Sequence, residues 1–176
     1  MFRSLLRLIL WTKWFGKYIR EAYMIRKDLI FTDCDLKSKD EVLNLCFDQL
    51  EKLNLINDRE AFAEEIRKRE ETMPTAVGFG VAIPHGRCAA VSEAFIVFVR
   101  LKHGIVWDER QKDLPDMIFM IGVPESKEAG NLHLRILSQI SRNLIHDDFR
   151  EALRKADQEQ AFELLNEIDQ SIEGEE

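Results

Sequence analysis

Two stretches of the chain are apolar on both faces over a strand's length, broken only by Arg100 and Asp116 near their ends. They are residues 94–101, AFIVFVRL, and residues 116–123, DMIFMIGV. A run with no polar face predicts a strand covered on both sides. A third strand is expected within residues 76–83, loosened by Gly78 and Gly80. The other periodic stretches follow a helical spacing. Ser38 and Glu41 form the S-x-x-E of a capping box, ahead of a helix with Val42, Leu43, Leu45, Cys46, Leu50 and Leu53 turned inward. Asp58 caps a second, charge-rich helix that runs towards Arg69 and is stopped by Pro74. A helix from about Asn131 carries Leu132, Leu134, Ile136, Leu137, Ile140 and Leu144, and two more are expected over residues 149–156 and 159–168. Residues 169–176 read as a frayed acidic tail. Helix and strand alternate, so the expected class is α/β, a mixed and largely parallel sheet flanked by helices on both faces.

Residues 1–24 break this pattern. Leu5, Leu8, Trp11, Phe15, Ile19 and Ala22 share one side of a helix, with Arg3, Arg7, Lys13, Lys17 and Arg20 opposite. The apolar run is too short and too often interrupted for a membrane span, and no cleavage site for a signal peptide follows. Four readings stay open: a helix on an anionic membrane surface, a docking element for a partner, packing on the body or on another copy, or translation from Met24. The domain proper is expected over residues 25–170, with residues 171–176 as its tail.

Charge sharpens that division. Residues 1–27 hold seven basic side chains against Glu21, a net +6, which leaves −13 on the rest of a chain whose total is −7. An acidic body argues against a nucleic-acid partner. The three cysteines, Cys34, Cys46 and Cys88, form no C-x-x-C pair, so a reducing compartment fits and a disulfide framework does not. His85 and Cys88 are spaced as H-x-x-C, but zinc would need a second close pair that is absent.

The chemistry concentrates in residues 78–88, GFGVAIPHGRC. Gly78 and Gly80 do not make a nucleotide loop, because Ile83 occupies the third glycine position of G-x-G-x-x-G and no GK[ST] follows. A Cys88 nucleophile with His85 as base lacks an orienting Asn or Asp. His85 itself stands between Pro84, which restricts the chain, and Gly86, which frees it. Alone, this reads as an ordinary surface turn sooner than as a presented nucleophile. Three distant residues supply what an acceptor imidazole needs. Arg69 is a cation, Thr75 a hydroxyl donor, and His133 a second imidazole where a helix begins.

Arg69-Glu70, the run T-x-x-G-x-G-V-A-I-P-H-G from Thr75 to Gly86, and HLRILSQIS at 133–141 resemble the mannitol/fructose-type enzyme IIA domain of the bacterial sugar phosphotransferase system, which includes the nitrogen-regulatory enzyme IIA. FVRLKHGIVW at 98–107 approximates a further motif of that family. The resemblance covers about residues 25–170. It implies the fold named above and an activity in which His85 accepts a phosphoryl group from the phosphocarrier HPr and passes it to a cysteine of an enzyme IIB. His133, Arg69 and Thr75 match the family's other site residues. The resemblance implies no cofactor, neither metal nor nucleotide, and a cytoplasmic location. Apolar residues such as Val81 and Ile83 are expected to line the docking surface. No IIB, IIC or DNA-binding region is seen in the sequence, so the acceptor is expected on another chain. Where the family usually has a serine or similar residue before the threonine, this chain has Met73-Pro74, which is expected to affect how Arg69 approaches the site. Transport and regulation both remain open, and the sugar is not legible.

Overall fold

The computed structural model describes residues 24–110, 112–126 and 129–173. Among them are six strands and five helices. In chain order they are β1 (Ile25–Cys34), α1 (Lys39–Lys52), α2 (Arg59–Thr72), β2 (Ala76–Gly78), β3 (Val81–Ala82), β4 (His85–Cys88), β5 (Phe95–Leu101), β6 (Met117–Pro124), α3 (Ala129–Leu144), α4 (Asp147–Lys155) and α5 (Gln158–Glu173). The sheet is mixed, in the order β1-β5-β6-β3-β2, with β4 also on β6. β1 is parallel to β5, β3 and β4 are parallel to β6, and β5 runs antiparallel to β6.

β5 and β6 come from the two apolar runs, Arg100 being the one charged residue in them, and they lie side by side at the centre. Their residues alternate between two cores, as the pleat requires. Ile96, Phe98, Phe119 and Ile121 face Ile136, Ile140, Leu153 and Leu165 of α3, α4 and α5. Phe95, Val97, Ile118 and Met120 face Val42, Leu50, Phe62 and Ile66 of α1 and α2. The helices thus divide between the two faces.

The helix starts follow local chemistry. Ser38 Oγ accepts from the Glu41 amide at 3.2 Å, and Asp58 Oδ1 from the Ala61 amide at 3.0 Å. Glu41 reaches one residue further back than a standard capping box, accepting from the Lys37 amide at 2.7 Å.

Two expectations need correction, and one strand had no counterpart among them. The single strand over 76–83 is a hairpin: β2 and β3 pair antiparallel through a tip in which Gly78, Phe79 and Gly80 have φ of 91°, 60° and 76°. These left-handed angles suit glycine and strain a phenylalanine, so the run cannot be one extended strand. β1 was not anticipated, because IRKDLIFTDC mixes buried and exposed positions without strict alternation, and its pairing with β5 is interrupted by register shifts. The stretch from residue 169 is not frayed at its start: α5 continues to Glu173, and Asp169 is buried and accepts from the Ile25 amide at 3.3 Å. The amphipathic reading of residues 1–23 lies outside the described residues. Among the described residues no helix is long and apolar enough to cross a membrane.

Candidate functional site

His85 is the first residue of β4, not part of a free turn. β3 and β4 lie end to end along β6, and Pro84 makes the break between them. The Pro84 carbonyl still accepts from the Ile121 amide at 3.0 Å, so the sheet is not lost at the interruption. Ile83 is buried and its carbonyl turns towards the imidazole. His85 Nδ1 lies 2.7 Å from that oxygen. A carbonyl can only accept, so Nδ1 carries the proton and Nε2 keeps its lone pair.

Arg69, in the last turn of α2, reaches this lone pair. Its Nε donates to His85 Nε2 at 3.0 Å, and its Nη1 to the Met73 carbonyl at 2.9 Å. Met73-Pro74 therefore does not keep Arg69 from His85; the backbone just ahead of Pro74 helps hold it. His133, from the first turns of α3, brings its ring centroid to 5.3 Å from that of His85. Its Nε2 is buried without a hydrogen-bond partner among the described residues.

Burial is the main cause that holds the half-buried His85 imidazole below its ordinary pKa. The Ile83 carbonyl opposes this, Arg69 adds to it, and Glu70 opposes it. His133 is lowered as well, first by burial, then by His85, Arg87 and Arg69. Both rings are thereby biased to the neutral form near pH 7.

Thr75 is placed differently from the role the resemblance implies. It is 2% exposed and donates its hydroxyl to Glu70 Oε2 at 2.5 Å. Its amide donates to Glu70 Oε1 at 3.0 Å. Trp107 Nε1 completes the cluster, 3.0 Å from Glu70 Oε1 and 3.2 Å from Thr75 Oγ1. Lys39 Nζ sits 3.2 Å from the same carboxylate and 5.0 Å from the Trp107 ring centroid. The threonine's single proton is thus spent on a buried carboxylate. The cluster ties the end of α2, and so Arg69, to the start of the hairpin. The Thr75 carbonyl also accepts from the Ile83 amide at 2.9 Å, linking the cluster to the backbone that orients His85. Glu70 and Trp107 were both inside the motifs of the resemblance, yet only the fold gives them this task.

Of the four residues singled out from sequence, His85, Arg69 and His133 come together, and Thr75 stands behind Arg69. Cys88 Sγ accepts from the Ala90 amide at 3.4 Å. Val81 and Ile83 are buried and line no surface. A cleft of about 630 Å³ between α1 and α2 is lined by Glu70 but not by His85.

Residues 23–168 match the family model described as "Phosphoenolpyruvate-dependent sugar phosphotransferase system, EIIA 2". The fructose-specific EIIA component of Haloferax volcanii is 39% identical over 108 residues, 61% of this chain and 69% of that protein. A nitrogen regulatory protein of Bradyrhizobium diazoefficiens is 32% identical over 139 residues, 79% of this chain and 89% of its own. The fructose-specific EIIABC component of Bacillus subtilis is 33% identical over 83% of this chain, which spans only 23% of that longer protein. The nitrogen regulatory protein IIA-Ntr of Neisseria meningitidis has the same fold, with a TM-score of 0.72 at 27% identity over 81% of this chain and 96% of its own. IIA mannitol of Escherichia coli shares the fold with a TM-score of 0.67 at 22% identity, over 80% of this chain and 98% of its own. The chain belongs to the EIIA type-2 family of the phosphoenolpyruvate-dependent sugar phosphotransferase system.

Proposed function

We propose that His85 is a phosphoryl acceptor that attacks through Nε2, charged by HPr and discharged to a cysteine of an enzyme IIB. The observation that carries this reading is the pair of contacts on the imidazole. The Ile83 carbonyl holds the proton on Nδ1 at 2.7 Å, and the remaining lone pair on Nε2 faces Arg69 at 3.0 Å.

The chemistry follows from that tautomer. The Nε2 lone pair forms a bond to phosphorus as the N–P bond of the donor phosphohistidine breaks, and its electron pair returns to the donor ring. No proton has to move, because Nδ1–H stays on the Ile83 carbonyl. In the second step a thiolate forms the S–P bond, and the N–P bond to His85 breaks. Such transfers depend on positioning and charge stabilisation more than on covalent assistance. Arg69 gives up Nε2 and turns its fork to the phosphoryl oxygens. His133 donates through the nitrogen that has no partner in the resting state. Thr75 acts at one remove, by fixing the turn that carries Arg69. The reading goes with a cytoplasmic location.

A second reading rests on the likeness to the Bradyrhizobium and Neisseria nitrogen regulatory proteins. In it, the same phosphorylation of His85 controls the binding of protein partners and feeds no IIB. Both readings need His85. Incubation with enzyme I, HPr and phosphoenolpyruvate is expected to add one acid-labile phosphoryl group, and His85→Ala to remove it. Label retained by His85→Ala would exclude His85 as the acceptor.

A further inference from the structure

Arg87 stands two residues after His85 on β4, paired with Val123 of β6. Between the two lies Gly86, whose missing side chain points towards α2: a Cβ there would be 3.0 Å from Glu65 Cγ and 3.3 Å from the Phe62 ring. Side chains alternate across a strand. His85 and Arg87 therefore leave β4 on the other face, the one where α3 begins and His133 lies. Arg87 is exposed, but it is tethered. Its Nη2 donates to the Ser126 carbonyl at 2.6 Å, in the connection from β6 to α3. That bond holds the cation beside the start of α3. His133 registers its charge, which ranks behind burial and His85 and ahead of Arg69 in lowering the imidazole's pKa. The site thus has two guanidinium groups near it, Arg69 on His85 Nε2 and Arg87 on the face of β4 that carries His85.

We propose that Arg87 is a second phosphoryl-binding cation, gripping the group carried on His85 Nε2 from the side opposite Arg69. The proposal rests on the reading of His85 as acceptor. A transferring phosphoryl group spreads its charge over three oxygens. Arg69 and His133 can each serve one. The hydroxyl expected for the third is committed to Glu70 at 2.5 Å. A guanidinium has five N–H donors, and among the described residues the Arg87 side chain spends one, on the Ser126 carbonyl. The rest of the fork is free to meet an oxygen while the tether stays in place.

The test uses phosphoramidate, a small donor that needs no protein partner, on the full chain. Nε2 of His85 forms the new N–P bond as the donor's P–N bond breaks and ammonia leaves with its three hydrogens. Phosphohistidine is followed by 31P NMR in the wild type, Arg87→Gln, Arg87→Lys and His85→Ala. Arg87→Gln is expected to slow phosphorylation on the order of 10- to 100-fold, the effect of losing one charge-assisted hydrogen bond. Thermal melting should stay unchanged, since the residue is exposed. Arg87→Lys should recover part of the rate, because it keeps the charge and loses the fork. A wild-type rate in Arg87→Gln overturns the proposal. So does a loss seen only when phosphorylated HPr is the donor, which would put Arg87 on the partner surface instead. Label that survives in His85→Ala would fail the acceptor reading, and is distinct from either result.

Discussion

At the scale of single residues, the site is a neutral imidazole kept neutral by its surroundings. His85 and His133 are both held below the ordinary histidine pKa, chiefly by burial. Their unfolded value is about 6.5. Below that pH the unfolded chain binds protons that the folded one refuses, so stability must fall as pH drops from 6.5 towards the lowered folded values. Above 6.5 this contribution is fully present. The urea midpoint is expected to decline between pH 7 and 5.5, and to decline less steeply in the His85→Gln, His133→Gln double variant. Equal slopes in the two proteins would show that the imidazoles are not the groups involved. Thr75 offers a second check at this scale. Thr75→Val removes the hydroxyl from the buried Glu70 carboxylate, at an expected cost of about 1–3 kcal/mol in urea unfolding. It should also slow phosphoryl uptake by loosening the turn that holds Arg69. A variant that lost activity at full stability would return Thr75 to direct contact with the phosphoryl group.

Among the elements, β5 and β6 were legible because being buried on both faces leaves a signature in every residue. The capped starts of α1 and α2 were legible because the capping groups lie within three residues of the amides they serve. The hairpin of β2 and β3 was not, although Gly78 and Gly80 marked its place, since a strand loosened by glycine and a tight turn between two short strands look alike in sequence. β1 was missed because its partner β5 lies far along the chain and its own polarity is irregular. The central strands also carry a constraint that composition hides. Gly122 of β6 is paired with Phe95 on one side and Gly86 on the other. A Cβ at Gly122 would fall 2.2 Å from Phe95 Cζ. Phe95 is itself packed edge-on against Phe62, with centroids 5.7 Å apart. Gly122→Ala must push this aromatic pair into α2, and a loss of about 1–3 kcal/mol is expected from overpacking. A melting temperature equal to the wild type's would mean that the Phe95 ring has room to move.

For the whole molecule, the two readings differ in the fate of a phosphoryl group on His85. The transport reading expects transfer from phosphorylated His85 to at least one fructose- or mannitol-type IIB, seen as loss of label from this chain and its gain on the IIB cysteine. The regulatory reading expects retention of label across the same panel. The sequence by itself determined the two central strands, the capped helices, the motif around His85 and the family resemblance, because each depends on residues close together in the chain or on a pattern repeated within one element. Only the tertiary structure decided which imidazole nitrogen is free, since that follows from how the Ile83 carbonyl and Arg69 converge on one ring. It alone turned Thr75 inward to Glu70 and set His133 beside His85, because these meetings join separate segments of the chain and are fixed by packing on the shared sheet.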